Sequence, residues 1–166
     1  MYAYCLFCQT QRCAAIARYI QATTGMRCFT PQIIQRKWVH GEPLEEKHSW
    51  LPGYVFLYTP EPIQPIRHVD GVIRWLCDSK QNYELSGEDY DFAMMLLQKD
   101  GIIGTVRLAQ VGDRVHLTDG AWAGMNGSII RVDRQRKRCC VEFRFDATVR
   151  NVWVGYEIVE TDDPEA

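Results

Sequence analysis

Alternation of apolar and polar positions predicts strands in the first hundred residues, separated by two stretches of helical periodicity. The runs YAYCLFC and PGYVFLY are rich in aromatic residues and bounded by polar or turn residues, as strands usually are. In CAAIARYIQATTG the apolar residues recur at helical spacing, with Thr10 as a candidate N-cap and Gly25 as the stop. SGEDYDFAMMLLQKDG predicts a second helix, capped at Ser86 and ended near Gly101.

The segments between these elements complete the pattern of one sheet covered by helices. One strand is expected on each side of the turn formed by residues 40–43, and GVIRWLC is a further strand. EPIQPIRHV predicts a short helix interrupted by Pro65. The resulting alternation of strands and helices favours an α+β fold in which an antiparallel sheet is covered by helices.

After Gly104 the pattern changes to short strands separated by tight turns. GDRVHLTDG, NGSIIRVDR, RCCVEFRF and TVRNVWVGYEIVE are strand-like runs broken by Asp-Gly, by Asn-Gly and by a basic cluster, which is typical of a small β-barrel. The join GIIGTVRLAQ is brief and is not rich in Gly and Ser. We therefore expect a domain at 1–104, a barrel domain at 105–160 and an acidic tail at 161–166.

The stretch SWLPGYVFLY, residues 49–58, is apolar on both faces of its predicted strand. One side carries Trp50, Tyr54, Phe56 and Tyr58, and the other carries Leu51, Val55 and Leu57. One side must cover the apolar stripe of a helix. The other is either buried under a second helix, as hydrophobic runs in sheets usually are, or presented to a partner as an apolar patch.

Composition excludes several classes of protein. The 166 residues are 46% hydrophobic and 24% charged, as in an ordinary globule, and no apolar run approaches the ~20 residues of a membrane span. The amino-terminal residues lack the pattern of a signal peptide, so a cytoplasmic location and no membrane partner are expected. The seven cysteines predict buried, reduced thiols, and the strand that contains Cys5 and Cys8 turns these two side chains to opposite faces. No metal site and no cofactor are expected.

The charge of the chain is uneven. The net charge is −2, but residues 106–160 contain nine Lys or Arg against seven Asp or Glu. Cations cluster around a predicted hairpin tip at Arg131, Arg134, Arg136, Lys137 and Arg138, with Arg144 and Arg150 on strands nearby. Such a cluster is either a solvated tip or a site where guanidinium groups bind phosphates and stack on RNA bases. The four histidines are dispersed, and no catalytic motif occurs, so an enzyme is not expected.

Two motifs in this order resemble the NusG family of transcription elongation factors. The strand LPGYVFLY is similar to the signature of the family's NGN domain, and GDRVHLTDGAWAGMNGSIIRVD is similar to its KOW domain. The resemblance covers roughly residues 2–160. The LFCQTQ start, the DGIIGTV join and the VWVGYEIVE ending are most similar to the LoaP group of processive antiterminators. The resemblance implies an NGN-like sheet domain followed by an SH3-like KOW barrel.

The resemblance also implies partners and site residues. In NusG-like proteins an apolar depression grips the clamp helices of the largest RNA polymerase subunit, which implies that Phe7, Leu51, Tyr54 and Phe56 form this contact. Arg12 corresponds to a position near non-template DNA. The LoaP likeness implies a nascent RNA hairpin as the ligand of the seven cations, and the family is monomeric. Trp122 is interpreted as an aromatic lid on the barrel core and Trp153 as barrel packing.

These features predict a factor that suppresses pausing or termination at selected operons. Two other functions stay open. The chain could be a general elongation factor that couples polymerase to the ribosome, or a translation-associated module whose barrel binds RNA.

Overall fold

The computed structural model describes residues 1–66, 68–119, 122 and 127–159, and the chain divides into two compact units. The first unit consists of Met1–Gln32 and Ser49–Ile102, and the second of Ile33–His48 and the residues from Ile103 onward. The expected domain boundary at residue 104 stays a prediction, and sequence patterns did not indicate the grouping of residues 33–48 with the second unit. The predicted acidic tail at 161–166 lies outside the described residues.

The described residues form two helices and three sheets. The helices are α1 (Cys13–Thr24) and α2 (Gly87–Gln98), and a 3-10 turn at Thr10–Arg12 leads into α1. The strands are β1 (Tyr2–Cys8), β2 (Arg27–Phe29), β3 (Gln32–Val39), β4 (Glu42–Ser49), β5 (Tyr54–Thr59), β6 (Val72–Trp75), β7 (Ile102–Ile103), β8 (Val106–Val111), β9 (Arg114–Leu117), β10 (Ser128–Asp133), β11 (Arg138–Phe145) and β12 (Thr148–Ile158). Their sheets have the orders β2-β5-β1-β6, β4-β3-β7 and β10-β11-β12-β8-β9.

The first sheet is antiparallel, and a helix covers each of its faces. Strands β1 and β5 pair from Tyr2 opposite Thr59 to Phe7 opposite Tyr54. Alternate residues of these strands, with Ile16, Ala17 and Ile20 of α1, form a buried apolar cluster that contains Tyr4, Leu6, Cys8, Val55 and Leu57. On the other face Phe92 of α2 packs against Phe56, with ring centroids 5.8 Å apart. The predicted α+β architecture of this part of the chain is therefore confirmed.

Local signals define where the two helices begin and end. Helix α1 ends at Gly25, which adopts the left-handed conformation with φ 72° and donates its N–H to the carbonyl of Gln21. Helix α2 begins after the extended residue Ser86, although no side-chain hydrogen bond caps it. The predicted N-cap Thr10 instead begins the 3-10 turn that precedes α1.

The short helix predicted for residues 61–69 is wrong for the described part of that segment, 61–66 and 68–69. These residues form a loop without regular secondary structure. Ile63 donates its N–H to the Tyr4 hydroxyl at 2.9 Å, and Ile63, Ile66 and Val69 pack against the cluster beneath α1. Tertiary contacts of the apolar residues override the weak local preference for a helix.

The five-stranded sheet of the second unit curls into a nearly closed barrel, which confirms the predicted second fold. All neighbouring strands are antiparallel except β12 and β8, which pair in parallel from Tyr156 opposite Val106. The end strands β9 and β10 lie in contact. The barrel core contains Leu108, Trp122, Cys139, Val141, Phe143, Phe145, Val152 and Val154, all buried.

The cysteines are free thiols, and six of the seven are buried while Cys77 is exposed. Burial raises the pKa of Cys8 and Cys28 to about 12 and that of Cys139 to about 11, so these thiols resist ionisation. In the part of the chain that the structure describes, no group of three His, Cys, Asp or Glu could hold a metal ion. Neither described helix is long and apolar enough to cross a membrane.

Candidate functional site

The aromatic face of β5 is largely covered by α2. Phe56 has no exposed surface, and its ring and that of Trp50 both pack on Phe92. The Tyr58 hydroxyl donates a 2.5 Å hydrogen bond to the carbonyl of Ala93. Of the four residues predicted to contact polymerase, Phe56 is therefore an interior residue of the sheet domain. Of the two alternatives for this face of the strand, burial under a helix therefore applies to the part that contains Phe56.

Beyond the end of this covered region, Phe7 is only partly buried. Its ring centroid lies 5.3 Å from that of Tyr54, the residue opposite it on β5. Arg74 on β6 lies opposite Phe7 on its other side, and its guanidinium carbon is 5.6 Å from the Phe7 ring centroid. Tyr54 and Leu51 are each 7% exposed. We call Phe7, Leu51, Tyr54 and Arg74 the Phe7 surface.

Arg74 was missed by sequence reasoning because its place depends on the pairing of β6 with β1. A single isolated arginine in GVIRWLC gives no sign of this partner. The antiparallel register, in which Leu6 faces Trp75 and Phe7 faces Arg74, puts the guanidinium on the same side of the sheet as Phe7. A cation over an aromatic face is attracted by the ring quadrupole, and at an exposed site this is worth about 0.5–1 kcal/mol.

The Pro52-Gly53 turn fixes the position of Phe7. Gly53 has φ 95°, a conformation that residues with a side chain rarely adopt. A Cβ atom at this position would lie 2.8 Å from Cε2 of Phe7. The Gly53 carbonyl accepts a 2.7 Å hydrogen bond from the N–H of Cys8. The dipeptide in LPGYVFLY therefore allows the turn to approach β1 closely beside the Phe7 ring.

Arg12 lies in the 3-10 turn that precedes α1, where it is the N-cap residue of that helix. Its Nη1 is 2.9 Å from Oδ2 of Asp70, and the Arg12 side chain is 47% exposed. Because the pair is exposed, its contribution to stability is at most about 1 kcal/mol. The predicted contact of Arg12 with DNA would require a phosphate to compete with this carboxylate.

The basic cluster of the second unit lies on the hairpin formed by β10 and β11. Arg134, Arg136 and Lys137 are exposed in the turn. Arg131, Arg138 and Arg144 have the register of one sheet face, since Arg131 pairs with Cys140 and residues 138, 140, 142 and 144 alternate along β11. Six of the seven predicted cations thus belong to one hairpin, and three of them share its outer face.

Asp133 organises the hairpin turn. Its Oδ1 accepts a hydrogen bond from the backbone N–H of Arg136 at 3.1 Å, and its Oδ2 lies 3.5 Å from Nε of Arg138. The pKa of Asp133 is lowered, first by the backbone hydrogen bond and then by the charges of the two arginines. The Asp133 carboxylate therefore links the turn to the start of β11.

Arg150 does not belong with the other cations. It pairs with Phe143 across β11 and β12, and it alternates with the buried residues Val152 and Val154. Its Nε donates a 3.2 Å hydrogen bond to the carbonyl of Phe145. Arg150, predicted to lie on a strand near the cluster, is therefore on the opposite face from Arg144.

Trp122 and Trp153 have different environments. Trp122 has no exposed surface, and its ring packs edge-on against Phe143 with centroids 6.0 Å apart, which confirms its interpretation as a lid on the barrel core. Trp153 is only partly buried and lies opposite Cys140 on the outer face. The interpretation of Trp153 as barrel packing is therefore wrong, because its side chain is outside the core.

Comparisons with known proteins identify the family of this two-unit α+β and β-barrel chain. A family model described as transcription termination factor NusG matches residues 2–94, which is more than half of the chain. The chain therefore belongs to the NusG family of transcription factors. A solved structure from a study of domain interaction in Thermotoga maritima NusG has a TM-score of 0.54 and 16% identity, with 93% of each chain covered. At this identity the likeness shows the fold alone. A search of curated proteins gave no match.

Proposed function

We propose that this chain binds RNA polymerase through the Phe7 surface and suppresses pausing or termination at selected operons, to which its barrel directs it by binding a nascent RNA hairpin. It acts by binding and not by catalysis. The observation that supports the polymerase contact best is the partial exposure of Phe7, which lies beside the fully buried strand β5.

The Phe7 surface has the chemistry of a small docking site for an apolar helical hairpin such as the clamp helices. Phe7 and Tyr54 supply paired aromatic rings, and Arg74 supplies a charged rim. Leu51, which is 7% exposed, is proposed to contribute to the same contact. Phe56 supports this surface from the interior through its packing on α2 and does not itself line the surface. Binding to the active state of polymerase in preference to paused states would shift the enzyme toward elongation.

The hairpin of β10 and β11 is the proposed RNA contact. Between residues 131 and 144 there are six cations and two carboxylates. One of these carboxylates, Asp133, engages Arg136 and Arg138 within the hairpin. The exposed Arg134, Arg136 and Lys137 can neutralise phosphates, and each such contact would steepen the dependence of log K on log salt by about 0.7–0.9. Arg12 remains a proposed secondary contact to non-template DNA.

The ribosome-coupling alternative has less support. The family resemblance would assign this role to an exposed aromatic at the position of Trp122, but the Trp122 side chain is buried in the barrel core. No described residue favours the translation-associated alternative over polymerase binding.

The test of the polymerase contact is the Phe7→Asp variant, with Tyr19→Asp as the matched control. Tyr19 is an exposed aromatic residue on α1, at 56% exposure, and lies outside the Phe7 surface. We expect Phe7→Asp to abolish binding to an isolated clamp-helix fragment in calorimetry, because a charge would be desolvated in an apolar contact. Tyr19→Asp should bind like the wild type. Equal binding of Phe7→Asp and wild type, with both folded, would contradict the proposal.

A further inference from the structure

Trp153 combines an outward position with partial exposure. Its neighbours along β12, Val152 and Val154, are 7% and 2% exposed and point into the core. Since side chains alternate along a strand, Trp153 has the opposite orientation. Packing of the barrel core therefore does not explain this residue.

Arg138 lies over the ring of Trp153. The guanidinium carbon is 4.8 Å from the indole ring centroid, the shortest cation-to-ring distance among the described residues for which such a contact is recorded. Asp133 lies 3.5 Å from Nε, so one edge of the same guanidinium faces a carboxylate. The guanidinium of Arg138 therefore contacts the indole of Trp153 and, along its Nε edge, the carboxylate of Asp133.

Other residues of this face extend the arrangement across three strands. Arg131 of β10, Cys140 of β11 and Trp153 of β12 lie side by side in register. Cys140 is small and 3% exposed, so it forms a low floor between the arginine and the indole. Neighbouring strands are about 4.8 Å apart, which places Arg131 about 10 Å from Trp153 at the backbone. Arg144 lies further along the same face of β11.

We propose that the stacked pair of Arg138 and Trp153 is a platform for an unpaired base of the RNA, with Arg131 and Arg144 binding the phosphates that flank this base. The proposal rests on the proposed binding of RNA by the barrel and specifies how the loop of the hairpin is recognised. Proteins recognise unpaired RNA bases by stacking them on aromatic rings or on guanidinium planes. Here both groups are already assembled, so little side-chain ordering is needed when the base binds.

The charge pattern favours RNA as the occupant over an acidic protein surface. An ion-pairing surface needs only charge, and Arg134, Arg136 and Lys137 in the turn already supply it. A planar cation on an indole, beside further arginines on the same sheet face, offers a π-surface and phosphate ligands together. A single-stranded loop has both of the complementary groups.

The experiment uses the full chain and a fluorescein-labelled pool of RNA stem-loops with randomised ten-nucleotide loops. Two further probes are the same stems with abasic loops and the corresponding DNA stem-loops. The variants are Trp153→Ala and Arg138→Lys, the second of which keeps the charge but removes the guanidinium plane. The matched controls are Arg36→Lys, at an exposed arginine of β3 outside the β10–β11 hairpin, and Trp38→Ala, at an exposed tryptophan of β3. Thermal unfolding of each variant establishes that it is folded.

We expect Trp153→Ala and Arg138→Lys each to weaken binding of the randomised RNA pool by about tenfold, with little further loss in the double variant. Both variants should bind the abasic pool as tightly as the wild type does, and Arg138→Lys should keep the salt dependence of the wild type. The two control variants should bind the randomised RNA pool as tightly as the wild type. If the wild type binds the RNA pool with strong salt dependence and the two variants bind equally well, the platform is refuted and RNA binding by the barrel survives. If the wild type binds no RNA, or prefers DNA, both the platform and the proposed RNA ligand are refuted.

Discussion

Phe7 and Phe56 are aromatic residues on one face of the first sheet, yet one is partly exposed and the other is enclosed by α2. We expect Phe56→Ala to lower the free energy of unfolding by about 3–5 kcal/mol, because it leaves a cavity against Phe92. Phe7→Ala should cost about half as much or less, since part of its ring already contacts water. Urea unfolding of the two variants measures this difference. Equal losses would show that the burial assigned to these residues is incorrect.

Buried thiols and one buried phenol make stability dependent on alkaline pH. Burial raises the pKa of Cys8 and Cys28 from 9.0 to about 12 and that of Cys139 to about 11, and it raises the pKa of Tyr58 as well. Above pH 9 the unfolded chain loses these protons while the folded chain keeps them, so the unfolded state binds fewer protons. The free energy of unfolding should therefore fall as the pH rises from about 9 to 11.

The measurement is urea unfolding at pH 8, 9, 10 and 11. Replacement of Cys8, Cys28 and Cys139 by Ala should make the decline less steep, although Tyr58 would still contribute. In the native protein at pH 8, the exposed Cys77 should react with a thiol reagent first, and the six buried thiols should react only after denaturation. Fast reaction of several thiols in the folded chain would contradict this prediction.

At the scale of elements, the turn before β5 should be sensitive to any side chain at Gly53. Gly25 and Gly53 both have positive φ, at 72° and 95°, but an added Cβ would meet nothing within 4 Å at Gly25 and would meet Phe7 at 2.8 Å at Gly53. Gly25→Ala should therefore cost about 1 kcal/mol from backbone strain alone. Gly53→Ala should cost at least about 1 kcal/mol more and weaken polymerase binding, since it displaces Phe7.

Paired measurements of unfolding and of clamp-helix binding test this expectation. The Gly25→Ala variant is the control for positive φ without steric contact, and it should bind the clamp helices normally. A Gly53→Ala variant as stable as Gly25→Ala would mean that the turn can move away from β1 without cost.

Short-range chemistry explains which elements could be predicted from the sequence. The end of α1 at Gly25 and the start of α2 after Ser86 depend on the backbone preferences of single residues. These preferences follow from residue type, so they could be predicted from the sequence. The alternation of β10, β11 and β12 likewise predicted a barrel. Residues 61–66 and 68–69 form a loop where the sequence predicts a helix, because their conformation depends on a distant hydroxyl, that of Tyr4, and on apolar packing beneath α1.

The faces of the site residues could be predicted only in part. Periodicity placed Phe56 and Tyr54 on one side of β5. It did not reveal that Phe56 packs against α2, whereas Tyr54 packs against the partly exposed Phe7. The parity of β12 was available in the sequence, since Val152 and Val154 mark its core side. This alternation places Arg150 on the core side of β12 and Trp153 on its outer side. The cation-to-indole contact of Arg138 still requires the register of β11 with β12.

At the scale of the whole molecule, the apolar and the cationic surfaces belong to different units of the chain. A chain with a net charge of −2 has little general attraction for nucleic acid, so the proposed RNA binding would depend on the concentration of cations in one hairpin. An RNA contact that holds the factor near a transcribing polymerase raises the effective concentration of the Phe7 surface there. Substitutions in the two surfaces should therefore reduce readthrough in different ways.

Transcription through a terminator, on a template with the operon leader upstream, separates these failures. We expect Phe7→Asp to lose readthrough at every protein concentration, because no polymerase contact remains. Replacement of Arg134, Arg136 and Lys137 by Ala should lose readthrough at low concentration and regain it at high concentration, since mass action replaces RNA recruitment. Removal of three charges from the β3–β4 hairpin, at Arg36, Lys37 and Lys47, is the control and should leave readthrough unchanged. A turn variant that never recovers would mean that the hairpin acts on polymerase itself and not through RNA.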